Sequence, residues 1–477
     1  MHPWTFKQRT FTGAGPLCSS LKQGMSASSR GQPFRNQRKL CLKFERTAGS
    51  ALCFSRNNLT RKPDRKMHRA KASLNPESIV SVNRKIGEGS FGQVFEGTLS
   101  TKAGDVKVVM KRMKPTVERA LEMGEIEIAL NKASAKRAKG ACADYLGYME
   151  VNGKSAQPSV GLSEGLWLVW KYQGYKTLES YLRQRDFLQR LSYDLEVMEV
   201  SVIPTVMKQI LDSLQKLHEG RIVHRDLKPM NLLFCEDDRR FRFIDLGACV
   251  DMSSGVNFSP EESIFDPTYC APEKYIMPTS TPDFAEMSGP MQSLSCWSAW
   301  KQHSPDRFDM YSAGLVLMQL AVPKLRTQRA IKNFSEGLSQ YNYDPREWAS
   351  RQQLPARETF LLDEDNGAGW ELAAALLRER VVEKKQARAS TSTAPRPSAR
   401  EALRFRFLKQ ADRRLPPELN PTLSSTSSYD EETPGAARRM GGVLQGLFSR
   451  TFDSEDEELD APAVRRRAAA NSRRRGS

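Results

Sequence analysis

Within this 477-residue chain, one short stretch carries the side chains for chemistry at neutral pH: His224-Arg225-Asp226-Leu227-Lys228-Pro229-Met230-Asn231. A carboxylate, an ammonium and an amide sit there on one loop. A second carboxylate follows at Asp245-Leu246-Gly247, about fourteen residues on. This set can hold a divalent cation on a polyphosphate and accept a proton from an attacking hydroxyl.

The flanking pattern says what must position these groups. Val206, Ile210, Leu211, Leu214 and Leu217 recur at helical spacing before the loop, and Gly220 supplies a stop. After it, Leu232–Phe234 and Phe241–Phe243 read as two short strands joined by a turn at Asp237-Asp238. The loop therefore leaves a buried helix, and the second carboxylate arrives at the end of a hairpin.

A phosphate-binding element is visible upstream. Ile86-Gly87-Glu88-Gly89-Ser90-Phe91-Gly92-Gln93-Val94 is a G-x-G-x-x-G-x-V stretch. Dinucleotide-binding folds use such glycines where a helix opens directly after them. Here Gln93 to Leu99 alternates like a strand, so the glycines form a hairpin loop that can approach phosphates without a side chain in the way.

The three stretches together resemble the eukaryotic protein kinases: H-R-D-L-K-P-x-N, then D-x-G, with the glycine loop ahead of both. That resemblance implies an α+β bilobal fold, with a small antiparallel β lobe over a larger helical lobe and ATP between them. It implies that Lys111, at the end of Val108-Val109-Met110-Lys111, neutralises phosphates and pairs with a glutamate of the helix expected from Val117 to Ala138. Glu125 is the preferred partner and Glu127 the alternative. Asp226 would accept the hydroxyl proton, Lys228 would stabilise the moving phosphoryl group, and Asn231 and Asp245 would hold Mg2+. The lysine two residues after Asp226 is the serine/threonine-kinase form. Trp170 would guard the back of the adenine pocket, with the backbone around Lys171 and Gln173 at the adenine edge, or Trp170 would be plain core. His224 reads as packing beneath the Asp245 motif. Asp309 would cap amides of the catalytic loop, and Arg396 would pair with Glu273.

Asp266-Pro267-Thr268-Tyr269 ends the segment that follows Asp245. Related kinases often place a threonine where Asp266 falls, so Asp266 pairs with Lys228 or the register shifts and Thr268 takes the role. Arg225 would read a phosphate or an acidic residue in that segment, where Ser253, Ser254, Ser259 and Ser263 are candidate modification sites. Between Glu273 and Asp309 the chain is longer than a kinase requires, an insertion at about 277–306 that reads as a surface loop with a small satellite cluster.

Phe241 to Ala248, Phe265 to Tyr269 and Pro272 to Pro278, with Asp144-Tyr145-Leu146-Gly147, look like the thylakoid kinases of plants and green algae. This implies light-harvesting or photosystem proteins as substrates, phosphorylated on Ser or Thr. The state-transition type carries a membrane helix and a close cysteine pair ahead of the kinase domain. Neither is seen here, which favours the photosystem-core type or a stromal relative. A catalytically weak pseudokinase acting as a nucleotide-binding scaffold is the alternative, opposed by the presence of Lys111, Asp226, Asn231 and Asp245.

Composition narrows the rest. Hydrophobic residues make up 39% and charged residues 27%, as in a globular protein with polar extensions. Apolar runs are short and broken by charge, so no transmembrane anchor is expected, though peripheral membrane contact is compatible. The eight cysteines show neither C-x-x-C pairs nor metal spacing and read as free thiols; Cys249 and Cys270 flank the segment after Asp245. The net charge of +17 suggests nucleic acid until it is located. Residues 1–73 hold sixteen Lys and Arg against Glu45 and Asp64, so the charge belongs to a leader and not to a binding face. That Ser/Arg-rich leader matches a transit peptide, implying the chloroplast stroma or the stromal face of the thylakoid, with mitochondrion or nucleus as alternatives. Domain limits follow as 1–73 leader, 79–408 kinase domain and 409–477 a charged, disordered tail.

Overall fold

The computed structural model describes residues 74–260, 266–284, 287, 289–380 and 395–414. The proposed leader, most of the tail, Ser263 and the stretch 381–394 lie outside the described residues. Five strands form one antiparallel sheet: β1 (Ile79–Glu88), β2 (Gly92–Thr101), β3 (Gly104–Met113), β4 (Tyr145–Val151) and β5 (Gly165–Lys171), in the order β1-β2-β3-β5-β4. Helix α1 (Ala120–Arg137) lies between β3 and β4 in the chain. Two-residue periodicity sends alternate side chains to opposite faces. Val108 and Met110 of β3, with Trp167 and Val169 of β5, form one apolar layer with Ile79 and Leu99. Met113, Leu166 and Leu168 form the other, against Met123 and Ile128 of α1. Both faces are covered, which is why β5 reads as a continuous apolar run. Lys111 shares its face with Met113 and therefore points toward α1.

After β5 the chain turns through Gly174 (φ +140°), where a Cβ would stand 2.5 Å from the Phe234 carbonyl oxygen. No other residue fits that approach. The helical lobe then comprises α2 (Leu178–Leu182), α3 (Phe187–Leu195) and α4 (Glu199–Glu219), followed by short strands β6 (Ile222–Val223), β7 (Leu232–Cys235), β8 (Arg240–Phe243) and β9 (Val250–Asp251). The expected helix and hairpin are both present, with Gly220 ending α4. Helix α5 (Gly289–His303) precedes α6 (Arg307–Ala321), in which every residue from Phe308 to Ala321 is buried. Helices α7 (Gln328–Gly337), α8 (Pro345–Arg351), α9 (Ala356–Leu376, broken at Glu364–Gly367) and α10 (Ala399–Ala402) complete the lobe. The α4 stripe predicted from sequence packs with α6 in one large core. Each fully buried Leu or Val there contributes about 1.5–3 kcal/mol.

The insertion is a correction to the sequence reading. It contains a helix of four turns, α5, and its Cys296 and Ala299 join the main core of the lobe instead of forming a satellite cluster. Its opposite face leaves Met291, Leu294 and Trp297 exposed. Among the described residues, no helix is long and apolar enough to cross a membrane.

Candidate active site

The two lobes enclose a cleft of about 780 Å³. Ile86, Gly87, Glu88, Gly89, Gly92 and Val94 line it from the glycine hairpin, and Lys111, Glu127, Trp170, Lys171, Gln173, Asn231 and Asp245 line the rest. Lys114 steadies the hairpin: its Nζ donates to the Gly89 carbonyl at 2.8 Å and pairs with Glu88 at 2.7 Å. Ser90, Phe91 and Gln93 complete the loop, between the residues that line the cleft.

Lys111 Nζ lies 2.7 Å from Glu127 Oε2 and 3.2 Å from Asp245 Oδ1. Burial works against the lysine's charge, but Asp245 and Glu127 outweigh it and raise its pKa. Burial raises Glu127 as well, against the pull of Lys111, while the lysine lowers Asp245. The partner of Lys111 is thus Glu127 and not the preferred Glu125. Helix geometry gives the reason. Met123, Glu127, Leu130 and Ser134 form a stripe at i, i+4, i+7 and i+11 that is buried throughout, whereas Glu125 lies two residues, or about 200°, away and is half-exposed. The sequence alone does not make this choice, because Leu121, Ile128 and Ala129 flank Glu125 at helical spacing as Met123 and Leu130 flank Glu127.

Gly124 is a functional position that sequence reasoning missed. A Cβ there would meet Leu166 Cδ2 and Met113 Cγ at 2.8 Å each. The missing side chain lets α1 approach β3 and β5 closely enough for Glu127 to reach Lys111.

On the lower side, Lys228 Nζ lies 3.0 Å from Asp226 Oδ1 and 3.4 Å from Asp266 Oδ2, all three groups being buried or nearly so. Asp266 Oδ1 also accepts the Thr268 N–H at 2.9 Å, which settles the register: Asp266 meets Lys228, and Thr268 supports Asp266. Asn231 Nδ2 donates to Asp226 Oδ2 and to the Asp226 carbonyl, both at 2.8 Å. Burial pushes the Asp226 carboxyl up to about 6, with Lys228 opposing and Asp245 and Asp266 adding to the rise. Asp309 accepts the backbone N–H groups of His224 and Arg225 at 2.8 Å each, and meets His218 Nε2 at 2.8 Å. His224 packs on Phe243, 4.4 Å between ring centres, and burial lowers its pKa to about 4, so it is neutral packing.

Arg225 also meets backbone. Its guanidinium donates to the carbonyls of Ala248 (2.6 Å), Asn257 (3.1 Å) and Cys249 (3.5 Å). These backbone contacts were not anticipated from the sequence, and they help to hold the segment after Asp245. Cys249 and Cys270 are kept as thiols by burial, the latter pushed up to about 12. Trp170 both lines the cleft and donates its Nε1 to Asn131 Oδ1 of α1 at 3.0 Å. Arg396 forms the expected pair with Glu273, at 2.8 and 3.2 Å, joined by Arg380 at 3.5 Å.

A five-stranded sheet with one helix over a helical lobe, and a cleft lined by the Lys111 cluster and joined through Asn231 to the Lys228 cluster, define the bilobal kinase class. The family model for the protein kinase domain matches residues 80–394, and the chain belongs to that family. It is similar to the chloroplastic serine/threonine-protein kinases STN7 and STN8 of Arabidopsis thaliana, at 35% identity to each. The matches take in 65% and 63% of this chain and 55% and 66% of those relatives, so the chain spans between half and two thirds of their length. The crystal structure of a Stt7 homolog from Micromonas algae soaked with ATP matches with a TM-score of 0.60 and 30% identity, over 76% of this chain and 97% of that one.

Proposed function

We propose that this chain is a chloroplast serine/threonine protein kinase that moves the γ-phosphate of Mg-ATP to Ser or Thr hydroxyls of thylakoid proteins. The observation that carries the reading is the pairing of Lys111 with Glu127 and Asp245 in a cleft that also takes in Asn231, which is hydrogen-bonded to Asp226. STN7 and STN8 being chloroplastic, and the Stt7 homolog having been soaked with ATP, support the compartment and the nucleotide.

In this reading Lys111 binds the α- and β-phosphates, oriented by Glu127, and the glycine hairpin covers them. The adenine edge falls in this reading to the Lys171 carbonyl and the Gln173 N–H, since the Lys171 N–H is taken by the Asp144 carbonyl and the Gln173 carbonyl by the Glu236 N–H. Asp226 accepts the proton of the substrate hydroxyl, and Lys228 stabilises charge on the phosphoryl group. The residues fit magnesium: Asp245 reaches the cleft as a half-exposed carboxylate, and Asn231 uses its nitrogen on Asp226, leaving Oδ1 for a cation. Two protein oxygens plus substrate phosphates are what Mg2+ ordinarily takes, and when bound it neutralises β- and γ-phosphate charge. With Lys111, Asp226, Asn231 and Asp245 all in place, nothing favours the pseudokinase alternative.

The test is Mg-ATP phosphotransfer by residues 74–477 onto a generic basic protein and onto isolated thylakoids, with Asp226→Asn as control. Phosphate on Ser or Thr of thylakoid proteins, absent in the control, is the expected result. Phosphate on the generic protein alone would remove the thylakoid assignment. No transfer to either would overturn the kinase reading. Residues 1–73 fused to a fluorescent reporter should mark plastids; a mitochondrial or nuclear signal would overturn the compartment.

A further inference from the structure

Helix α5 packs one face onto the segment after Asp245 and leaves the other bare. On the packed side Cys296 and Ala299 are buried, and Gln292 Nε2 donates to the carbonyls of Ser254 (2.8 Å) and Phe284 (2.9 Å). On the outer side Met291, Leu294 and Trp297 recur at i, i+3 and i+6, and they are 65%, 60% and 49% exposed. Lys301 stands over the Trp297 ring, 3.9 Å from its centre, and α5 contains no acidic residue. Large apolar side chains gathered on one exposed face mark a contact surface.

A basic surface adjoins that face. The Arg221 guanidinium lies 4.8 Å from the ring centre of Trp300, one turn on from Trp297. Arg137 Cβ stands 3.2 Å from the Cβ position of Gly220, and Lys216 Nζ stands 3.6 Å from that of Gly140. The ends of α1 and α4 therefore bring Lys136, Lys139, Lys216 and Arg221 into one region. Asp251 and Glu219 are already engaged, by Arg137 and Arg400 at 2.7 Å each. Among the described residues none of the four cations meets a carboxylate, and Arg221 Nη1 is buried without a hydrogen-bond partner.

The chain supplies a stretch of matching pattern, outside the described residues. Val443, Leu444, Leu447, Phe448 and Phe452 are an apolar run at helical spacing, and six carboxylates follow at once between Asp453 and Asp460. The linking residues, 415–442, reach at most about 100 Å. A kinase-sized domain is about 50 Å across, so every face of it lies within that reach. A second copy would instead meet this surface with like charge. We infer that α5 and the basic surface beside it seat the chain's own stretch 443–460, its apolar part on the outer face of α5 and its acidic part on the four cations.

Hydroxyl-radical footprinting of the full chain reads the seat directly, with Tyr175, 67% exposed, as internal reference. A tethered segment acts at about millimolar effective concentration, so a seat with a Kd of about 0.1 mM stands empty about a tenth of the time. Met291 and Trp297 should therefore be oxidised about tenfold more slowly than in the double variant Leu444→Asp, Phe448→Asp, which leaves every described residue unchanged. Lys136→Glu with Lys139→Glu, both exposed, should raise the native rate about threefold, as should salt at about 0.5 M. Equal oxidation in the native chain and the tail variant would overturn the inference. p-Benzoylphenylalanine at Phe448 identifies the occupant: crosslinks to α5 within one molecule uphold the seat, and crosslinks to a second copy or to residues 1–73 overturn it. Protection of Met291 that appears only with anionic lipid vesicles would give the face to a membrane and remove the tail from it.

Discussion

Among the described residues two lysines each meet two carboxylates, and their clusters are built differently. Lys111 is 17% exposed and Asp245 52%, so that cluster faces the cleft. Its members come from β3, α1 and the loop after β8. Lys228, Asp226 and Asp266 are 5%, 6% and 13% exposed, and two of the three are neighbours on one loop. The upper cluster forms only when the sheet, its helix and the helical lobe stand in the right relation. The lower one needs only its loop and the segment that lies on it. Lys111 is thus a register of lobe arrangement, whereas Lys228 belongs to a preformed floor.

That contrast can be broken first at the floor. Asp226→Asn should reduce kcat by about 10²- to 10⁴-fold while ATP binding persists, because it removes a proton acceptor and not a phosphate contact; single-turnover assays with a nucleotide-binding measurement check both halves. Next, Glu127→Gln should lower kcat/KM by about 10- to 100-fold and raise KM for ATP, since Lys111 then leans toward Asp245 alone. Glu125→Gln should stay within about twofold, and equal effects of the two would dissolve the distinction between the stripes of α1.

Asp266→Asn should cost about tenfold in kcat with KM for ATP unchanged, because it loosens Lys228 on the side of the protein substrate; a rise in KM for ATP would show that the two clusters are coupled. A smaller loss than at Asp266 is expected of Gly124→Ala. Helix propensity favours alanine by about 1 kcal/mol, while overpacking against Leu166 and Met113 costs about 1–3 kcal/mol. The clash prevails, α1 is displaced, and activity should fall a few-fold with a slightly lower Tm; wild-type kcat/KM would mean that α1 tolerates the displacement.

Much of this was legible in residue order. The catalytic loop, the hairpin leading to Asp245 and the glycine loop are local features, in which spacing along the chain nearly equals arrangement in space. The buried stripe of α4 and the pairing of Arg396 with Glu273 followed from pattern and resemblance. What the order of residues left open were contacts between segments distant in the chain. Glu125 and Glu127 are chemically identical, and only the side of α1 that Gly124 brings against the sheet chooses between them. The sequence offered Arg225 a phosphate or an acidic residue, and the fold of the segment from Ala248 to Asn257 adds three backbone carbonyls to its partners. The insertion showed its apolar residues but not that one face would be absorbed into the main core. The sequence by itself determined the chemistry available and the elements that carry it, because both depend on near neighbours. Tertiary structure alone decided which charges meet, because ion pairing depends on distances of a few ångströms between segments far apart in the chain, 134 residues in the case of Lys111 and Asp245.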